Sequence, residues 1–295
     1  MQDYFPKASI VVATYNYAGK IVPTIEGILA IDYPNDFEVI VVNDGSSDNT
    51  KEVLEKNFGK NKKIRIINFE KNSGVCAARN AGIRAARNEI VVNMDHDCIP
   101  EKNWLKNLMK GFSSEKIGVV SSMGAFGGTS TAARKNILEK IGGYDEQYRY
   151  YREDTDLTFK IMELGYEYSV VKADYLHDHK IVKPKGIFAV AKYALQRLSY
   201  HKNDVLLYKK HPALAKKFLD VKLGFIVNPK KDFQVITGTW MEHKIPKLSS
   251  PRGMVFLEGK STLNRIVIFA IGALYVAAIK FYRLLGSIKY GKLLL

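Results

Sequence analysis

The sequence predicts an α/β fold, a central, mostly parallel sheet flanked by helices. Three observations carry the prediction. Short runs rich in valine and isoleucine recur through the first 120 residues. Amphipathic stretches of helical length separate them. Polar or acidic residues, with no packing role, stand where the runs end.

Residues 8–13 (ASIVVA), 38–43 (EVIVVN), 64–68 (IRIIN), 89–94 (EIVVNM) and 117–121 (IGVVS) read as buried strands, each closed by polar or turn residues. Helical patterns occupy 21–30, 49–57, 75–86 and 102–112 between them. Asn49, with Glu52 three residues on, resembles a capping pair. Strands spaced by helices of this length imply a parallel sheet covered on both faces. A Gly/Ser-rich connection at 121–131 leads to a turn at 141–145 and a helix over 154–164, with Leu157, Ile161 and Leu164 on one face. Beyond residue 180 the composition shifts. Residues 187–207 and 212–219 read as basic amphipathic helices, and 228–260 as irregular connection.

The 295 residues are 46% hydrophobic and 25% charged, which excludes a disordered or collagen-like chain. Two cysteines, Cys76 and Cys98, make no disulfide framework and are expected to be reduced in a cytosolic setting. Residues 8–13 are too short for the apolar centre of a signal peptide, so the chemistry is expected in the cytoplasm. The net charge of +15 is unevenly placed. Residues 1–180 hold 24 Lys and Arg against 25 Asp and Glu, whereas residues 181–295 hold 21 against 5. An anionic surface, membrane or nucleic acid, would suit the second part, and so would a merely solvated basic face.

Residues 266–279 (IVIFAIGALYVAAI) carry no charge but cover only about 21 Å as a helix, short of the ~30 Å hydrocarbon core. Spanning would draw in Lys280 and Arg283 and leave Lys289 and Lys292 on the outer side. The reading favours an interfacial helix with snorkelling cations, and a buried core helix accounts for the same run.

Ligands on parallel sheets collect at the carboxyl ends of the strands. There the sequence places Thr14-Tyr15-Asn16, then Asn43-Asp44-Gly45-Ser46-Ser47-Asp48, then Asp95-His96-Asp97. The strand period of two puts Asp95 and Asp97 on the same side, aimed out of the sheet end, where they suit a hard divalent cation such as Mg²⁺ or Mn²⁺. Arg152-Glu153-Asp154-Thr155-Asp156 opens a helix, where acids serve either as dipole complements or as a general base. Positions 154 and 156 do not share a helix face, so one of them is expected to face the cleft. Arg79 suits a phosphate or carbonyl oxygen, or an ordinary salt bridge. His177 and His179 are further candidate metal ligands.

These residues fall into ordered motifs. They are VVATYN at 11–16, NDGSSDNT at 43–50, NSGVCAARNAG at 72–82, DHD at 95–97, IGGYDE at 141–146 and EDTDL at 153–157. In this order they resemble the family 2 glycosyltransferases, nucleotide-sugar-dependent enzymes of the GT-A fold. The resemblance covers about 60% of the chain. It implies a catalytic domain over 1–180, with a nucleotide-sugar half over 1–98 and an acceptor half over 99–180. A basic helical extension (181–260) and an apolar-basic membrane-associating helix (261–295) would follow. It further implies that Thr14, Tyr15, Asn16 and Asp44 hold base and ribose, and that Arg79 contacts base or diphosphate. Asp95 would lie near ribose and metal, and Asp97 would ligate the metal with His177 or His179. Asp154 matches the catalytic base, with Glu153 and Asp156 beside it. Asn43 stands where many relatives have an acid, His96 is a less usual middle residue, and the 121–131 segment is short.

The implied activity is inverting transfer of a sugar from a nucleotide-diphosphate sugar. The acceptor would be a hydroxyl of a lipid-linked or cell-surface glycan at the cytoplasmic membrane face. A polyprenyl phosphate acceptor, which needs no strong base, and a non-catalytic nucleotide-sugar-binding subunit are the alternatives. Nucleic-acid binding is not expected, because no recognisable module accompanies the charge. A nicotinamide dehydrogenase is disfavoured because no Gly-x-Gly-x-x-Gly follows the first strand.

Overall fold

The valine- and isoleucine-rich runs become strands because β-branched side chains pack well on a pleated, buried surface. The computed structural model describes residues 5–124, 126–178, 186–239 and 262–295, in two units, Met1–Val182 and Lys183–Leu295. The first unit runs β1 (Ala8–Thr14), α1 (Ile21–Leu29), β2 (Phe37–Asn43), α2 (Thr50–Phe58), β3 (Ile64–Asn68), α3 (Val75–Ala85) and β4 (Ile90–Asp95). It continues with β5 (Cys98–Pro100), α4 (Trp104–Met109), β6 (Ile117–Ser121), β7 (Thr131–Arg134) and α5 (Lys135–Lys140). The last elements are α6 (Glu153–Glu163), β8 (Glu167–Val170) and β9 (Tyr175–His177).

Seven strands form one sheet in the order β3-β2-β1-β4-β7-β6-β8, and β5 pairs with β9 apart from it. All neighbours in the large sheet are parallel except β7, which lies antiparallel between β4 and β6. Alternation along the strands sorts the two faces. Ile10, Val12, Val39, Val41 and Val92 pack under α1, α2 and α4, against Ile25, Leu54 and Trp104. On the opposite face α3 lies on β1 and β2. Gly82 permits that approach, because a Cβ there would overlap the Val11 side chain. The close seating of α3 brings Arg79 to the carboxyl end of the sheet.

Some expectations are corrected. Asn49 makes no side-chain cap; Asp48 Oδ1 instead accepts from the Thr50 amide at 3.0 Å. Strand β4 stops at Asp95, and His96 and Asp97 form a turn, so the period of two does not carry through to Asp97. The Gly/Ser connection is followed by a strand, β7, before the helical region resumes.

The second unit comprises α7 (Ile187–Ser199), α8 (Lys202–Lys210), α9 (Pro212–Phe218), β10 (Val221–Lys222), β11 (Ile226–Val227), α10 (Pro229–Thr237) and α11 (Thr262–Tyr290). The helix expected over 187–207 is two helices. At the break, His201 Nδ1 lies 2.9 Å from Asp204 Oδ2 in the first turn of α8. Residues 229–237, expected to be irregular, are helical. Asn228 accepts from the Lys231 amide and Pro229 stands at the first helical position, a start signal present in the sequence. The uncharged run at 266–279 lies inside a 29-residue helix. Residues 240–261 are outside the described residues.

Candidate active site

Strand register lines up the residues at the sheet's carboxyl end. Thr14 is level with Asn43, Asn43 with Asn68, and Ala13 with Asp95. The loops that follow are tied to one another by the polar residues singled out above. Asn16 Oδ1 accepts from the Ser47 amide at 2.8 Å and the Asp48 amide at 3.3 Å, and the Asn16 amide donates to Ser46 Oγ. The Asp44 carboxylate is buried and accepts from the Ser73 and Gly74 amides and from Asn72 Nδ2, at 2.7, 2.9 and 3.0 Å. Asn16 and Asp44 thus give the rim its shape. Tyr15 is largely exposed, and Thr14 Oγ1 is buried without a hydrogen-bond partner among the described residues.

Arg79 joins the two halves of the unit. Its guanidinium donates to Asp95 Oδ1 at 3.1 Å and to Asp154 Oδ1 at 3.0 Å, and it lies over the Tyr144 ring. It is a buried residue rather than a surface salt bridge. Tyr144 O–H, which accepts from Asn93 Nδ2 at 2.8 Å, donates to the Asp154 carboxylate. Asn80 fixes Tyr144 in turn, donating to its carbonyl and accepting from its amide. Burial pushes the Asp154 carboxyl above the usual carboxylate range, and the Arg79 charge opposes the rise. A carboxylate raised in this way is a stronger base than a solvated one.

Gly128 makes room for this carboxylate, since a Cβ at that position would overlap Asp154 Oδ2. Gly128→Ala is expected to displace the Asp154 carboxylate and lower turnover about a hundredfold. The melting temperature should fall by far less than such a loss of activity would imply if it came from unfolding. Parallel kcat and thermal-melt measurements check both.

Glu153 is buried beside Asp154, and its Oε2 has no hydrogen-bond partner among the described residues. Burial, reinforced by the Asp154 charge, pushes its carboxyl up to about 7. The raised value means the folded chain holds this proton more tightly than the unfolded one. Stability contributed by Glu153 is therefore full below about pH 4.5 and declines as pH rises toward 7. Glu153→Gln should match the native protein near pH 5 and exceed it at pH 8 by an amount on the order of 1–3 kcal/mol. Denaturant melts at the two pH values check this. Asp156 is wholly buried and ion-pairs with Lys160 of its own helix at 3.2 Å.

Asp95 and Asp97 diverge. Asp95 turns to Arg79, while Asp97 Oδ2 lies 3.2 Å from His177 Nε2 of β9. Asp97, Cys98 and His177 bring one potential ligand atom each within 4.8 Å of one another. A carboxylate oxygen and an imidazole nitrogen suit Mn²⁺ or a similar divalent ion. Cys98 is buried, its thiol pushed far up by that burial and donating to Asp97 Oδ1 at 3.7 Å, and a hard divalent ion prefers the oxygen and nitrogen ligands to its sulfur. The pair Asp97–His177 therefore fits a divalent cation with open positions for other ligands. His96 faces elsewhere, stacked on Tyr17 with ring centroids 3.9 Å apart. Lys20 clips the neighbouring Asp178, its Nζ 2.6 Å from Oδ2 and 3.0 Å from the carbonyl oxygen. His179 lies outside the described residues. Tyr144, Asn80, Gly128 and Lys20 were not legible as site residues, although Asn80 and Tyr144 fall inside the motifs NSGVCAARNAG and IGGYDE.

The chain aligns in fold with the mannosyltransferase PcManGT from Pyrobaculum calidifontis, solved in complex with GDP-Man and Mn²⁺. The TM-score is 0.61 at 19% identity, over 95% of this chain and 88% of that one. The sheet order, the flanking helices and this likeness make the fold GT-A. A probable glycosyltransferase, YdaM of Bacillus subtilis, is 27% identical over 55% of this chain and 48% of its own length. The poly-β-1,6-N-acetyl-D-glucosamine synthase of Staphylococcus epidermidis is 32% identical over 45% of this chain and 31% of its own. The matches thus span about half or less of these curated relatives. The sequence profile of glycosyl transferase family 2 covers residues 9–177, the whole stretch from β1 to the His177 that meets Asp97. The chain belongs to glycosyl transferase family 2.

Proposed function

We propose that the chain transfers a sugar from a nucleotide-diphosphate sugar to an acceptor hydroxyl, with inversion at the anomeric carbon. The observation that carries the reading is the Arg79 bridge, which joins Asp95 at the end of β4 to Asp154 at the start of α6. It holds a base at the mouth of the strand ends where a nucleotide would lie. In this reading Thr14 and Tyr15 face the nucleotide, and Asn16 and Asp44 hold the loops that receive it. Asp154 takes the proton from the acceptor hydroxyl as its oxygen attacks the anomeric carbon. The bond to the diphosphate oxygen breaks with its electron pair. Glu153 stands buried beside Asp154, its own carboxyl pushed up by the Asp154 charge, and Asp156 anchors the helix through Lys160.

A divalent cation, Mg²⁺ or Mn²⁺, is part of the proposal. Asp95, Asp97 and Asp154 stand near the strand ends and Arg79 pairs with two of them, so a dianionic diphosphate would be repelled there without a further cation. Asp97 and His177 would hold the ion, which when bound stabilises the departing diphosphate as a Lewis acid. The acceptor we assign to the class of lipid-linked or cell-surface glycans, met at the cytoplasmic membrane face. Support comes from the polysaccharide-synthase relative and from the basic second unit.

The test is slow hydrolysis of a panel of nucleotide sugars with Mn²⁺, with Mg²⁺ and with EDTA. One donor should be hydrolysed only with metal, and Asp97→Ala should abolish the reaction. Hydrolysis that persists in EDTA contradicts the metal assignment, and no turnover of any donor contradicts the enzyme reading.

A further inference from the structure

Unit 2 by itself exposes an apolar face that none of its own described elements covers. Helix α11 buries one side, Gly272, Val276, Ile279, Arg283, Gly286 and Ser287, against its neighbours. The opposite side carries Leu263, Ile266, Leu274, Phe281, Leu284 and Ile288, between 43 and 74% exposed. At 3.6 residues per turn these six fall within about 80° of arc, along a strip about 38 Å long. No charged residue of α11 falls inside that arc. Lys280 and Lys289 flank it instead. Helix α7, which touches α11, adds Ile187 and Phe188 at 79 and 89% exposure.

We infer that the outer strip of α11, with the start of α7, docks this unit in the plane of an anionic lipid bilayer without crossing it. The inference deepens the membrane-face reading above and rests on it. Charge selects the occupant. The last 115 residues hold 21 Lys and Arg against 5 Asp and Glu, so an anionic surface is attracted and a second copy of the same unit is repelled. Packing selects the orientation. Helix α8 clamps the far part of α11 through Arg283, which donates from Nε and Nη2 to the wholly buried Asp204, both at 3.0 Å. Helix α10 lies on Gly272, where a Cβ would crowd the Val235 carbonyl at 2.6 Å, and Asp232 pairs with Lys280 at 2.8 Å. Residues 272–286 are thus held by helices bearing Lys202, Asp204, Lys230, Lys231 and Asp232. The ten residues 262–271 that precede Gly272 make about 15 Å of helix, against a hydrocarbon core of ~30 Å. Spanning would strip α11 of both partners. In-plane binding leaves every one of these contacts intact, with the flanking lysines reaching the headgroups.

Flotation of the full chain with phosphatidylcholine vesicles, with and without about 30 mol% phosphatidylglycerol, tests the inference. Binding is expected to the anionic vesicles, to weaken as salt rises, and to fall about tenfold or more in a Leu274→Asp, Phe281→Asp variant. Leu263→Cys, Leu274→Cys and Ile288→Cys variants can be labelled selectively, because Cys76 and Cys98 are buried. Quenching by brominated lipids should place all three labels at one shallow depth. A label at 274 deep in the bilayer between two shallow ones would show a span and overturn the proposal. So would absence of vesicle binding, or a dimer that the double substitution dissociates. Hydrolysis of soluble nucleotide sugar, measured on the same samples, separates the two claims. Hydrolysis without vesicle binding sinks the docking inference alone, and vesicle binding without hydrolysis sinks the transferase reading alone.

Discussion

Asp154→Asn is expected to reduce glycosyl transfer by two to four orders of magnitude, roughly the range of a positioned general base, while donor binding changes only a few-fold. Asparagine keeps the size of the side chain and an oxygen for Arg79 and Tyr144 but cannot take a proton. The native rate should rise with pH to a plateau, with its midpoint above the usual carboxylate range, because burial raises the Asp154 carboxyl. Single-turnover transfer and donor titration on the same variant check both parts. A variant that retains most of its activity would favour a phosphate acceptor, which needs no strong base.

The second large effect is one of stability. Arg79→Met removes the cation that Asp95 and Asp154 share in ion pairs, leaving both without it beside the buried Glu153. Breaking a buried pair by deleting one partner costs about 3–5 kcal/mol, because the remaining charge is uncompensated. The loss should be greater at pH 8 than at pH 5, where Glu153, its carboxyl pushed up to about 7, is protonated and the repulsion is relieved. Denaturant titration at both pH values measures the difference. Equal losses at the two pH values would mean that packing of the guanidinium, rather than charge, sets the effect. Arg79→Lys should recover part of the stability but not the two-point grip.

The pattern of recoverable features has a physical basis. Strands β1, β2, β4 and β6 were legible because they are runs of Val and Ile buried on both faces, and the half-buried edge strand β3 because it is isoleucine-rich. Strand β7 (TAAR) was not, since its small residues carry no strand signal and its place is set by β4 and β6 on either side. The three-residue strands β5 and β9 are held by each other and have no period of their own. In the site, individual motifs were readable but their links were not. Arg79 reaches Asp154 across 75 positions of sequence, and only the seating of α3 on β1 creates that contact. The same limit hid Tyr144, whose O–H meets Asp154 only once the fold brings the IGGYDE turn beside α6. The expected common side for Asp95 and Asp97 depended on a strand two residues longer than the chain forms. Where the strand ends, the turn through His96 sends one carboxylate to Arg79 and the other to His177.

That division of labour between the two aspartates is the centre of the account, and one titration addresses it. Calorimetric binding of a nucleoside diphosphate should be measured with Mn²⁺ for the native chain, Asp97→Ala and His177→Ala, and for the native chain in EDTA. The native chain should bind with metal, and both variants and the EDTA sample should be weaker by at least about tenfold. Undiminished binding by Asp97→Ala, or by the native chain in EDTA, would contradict a metal-bridged diphosphate at Asp97 and His177.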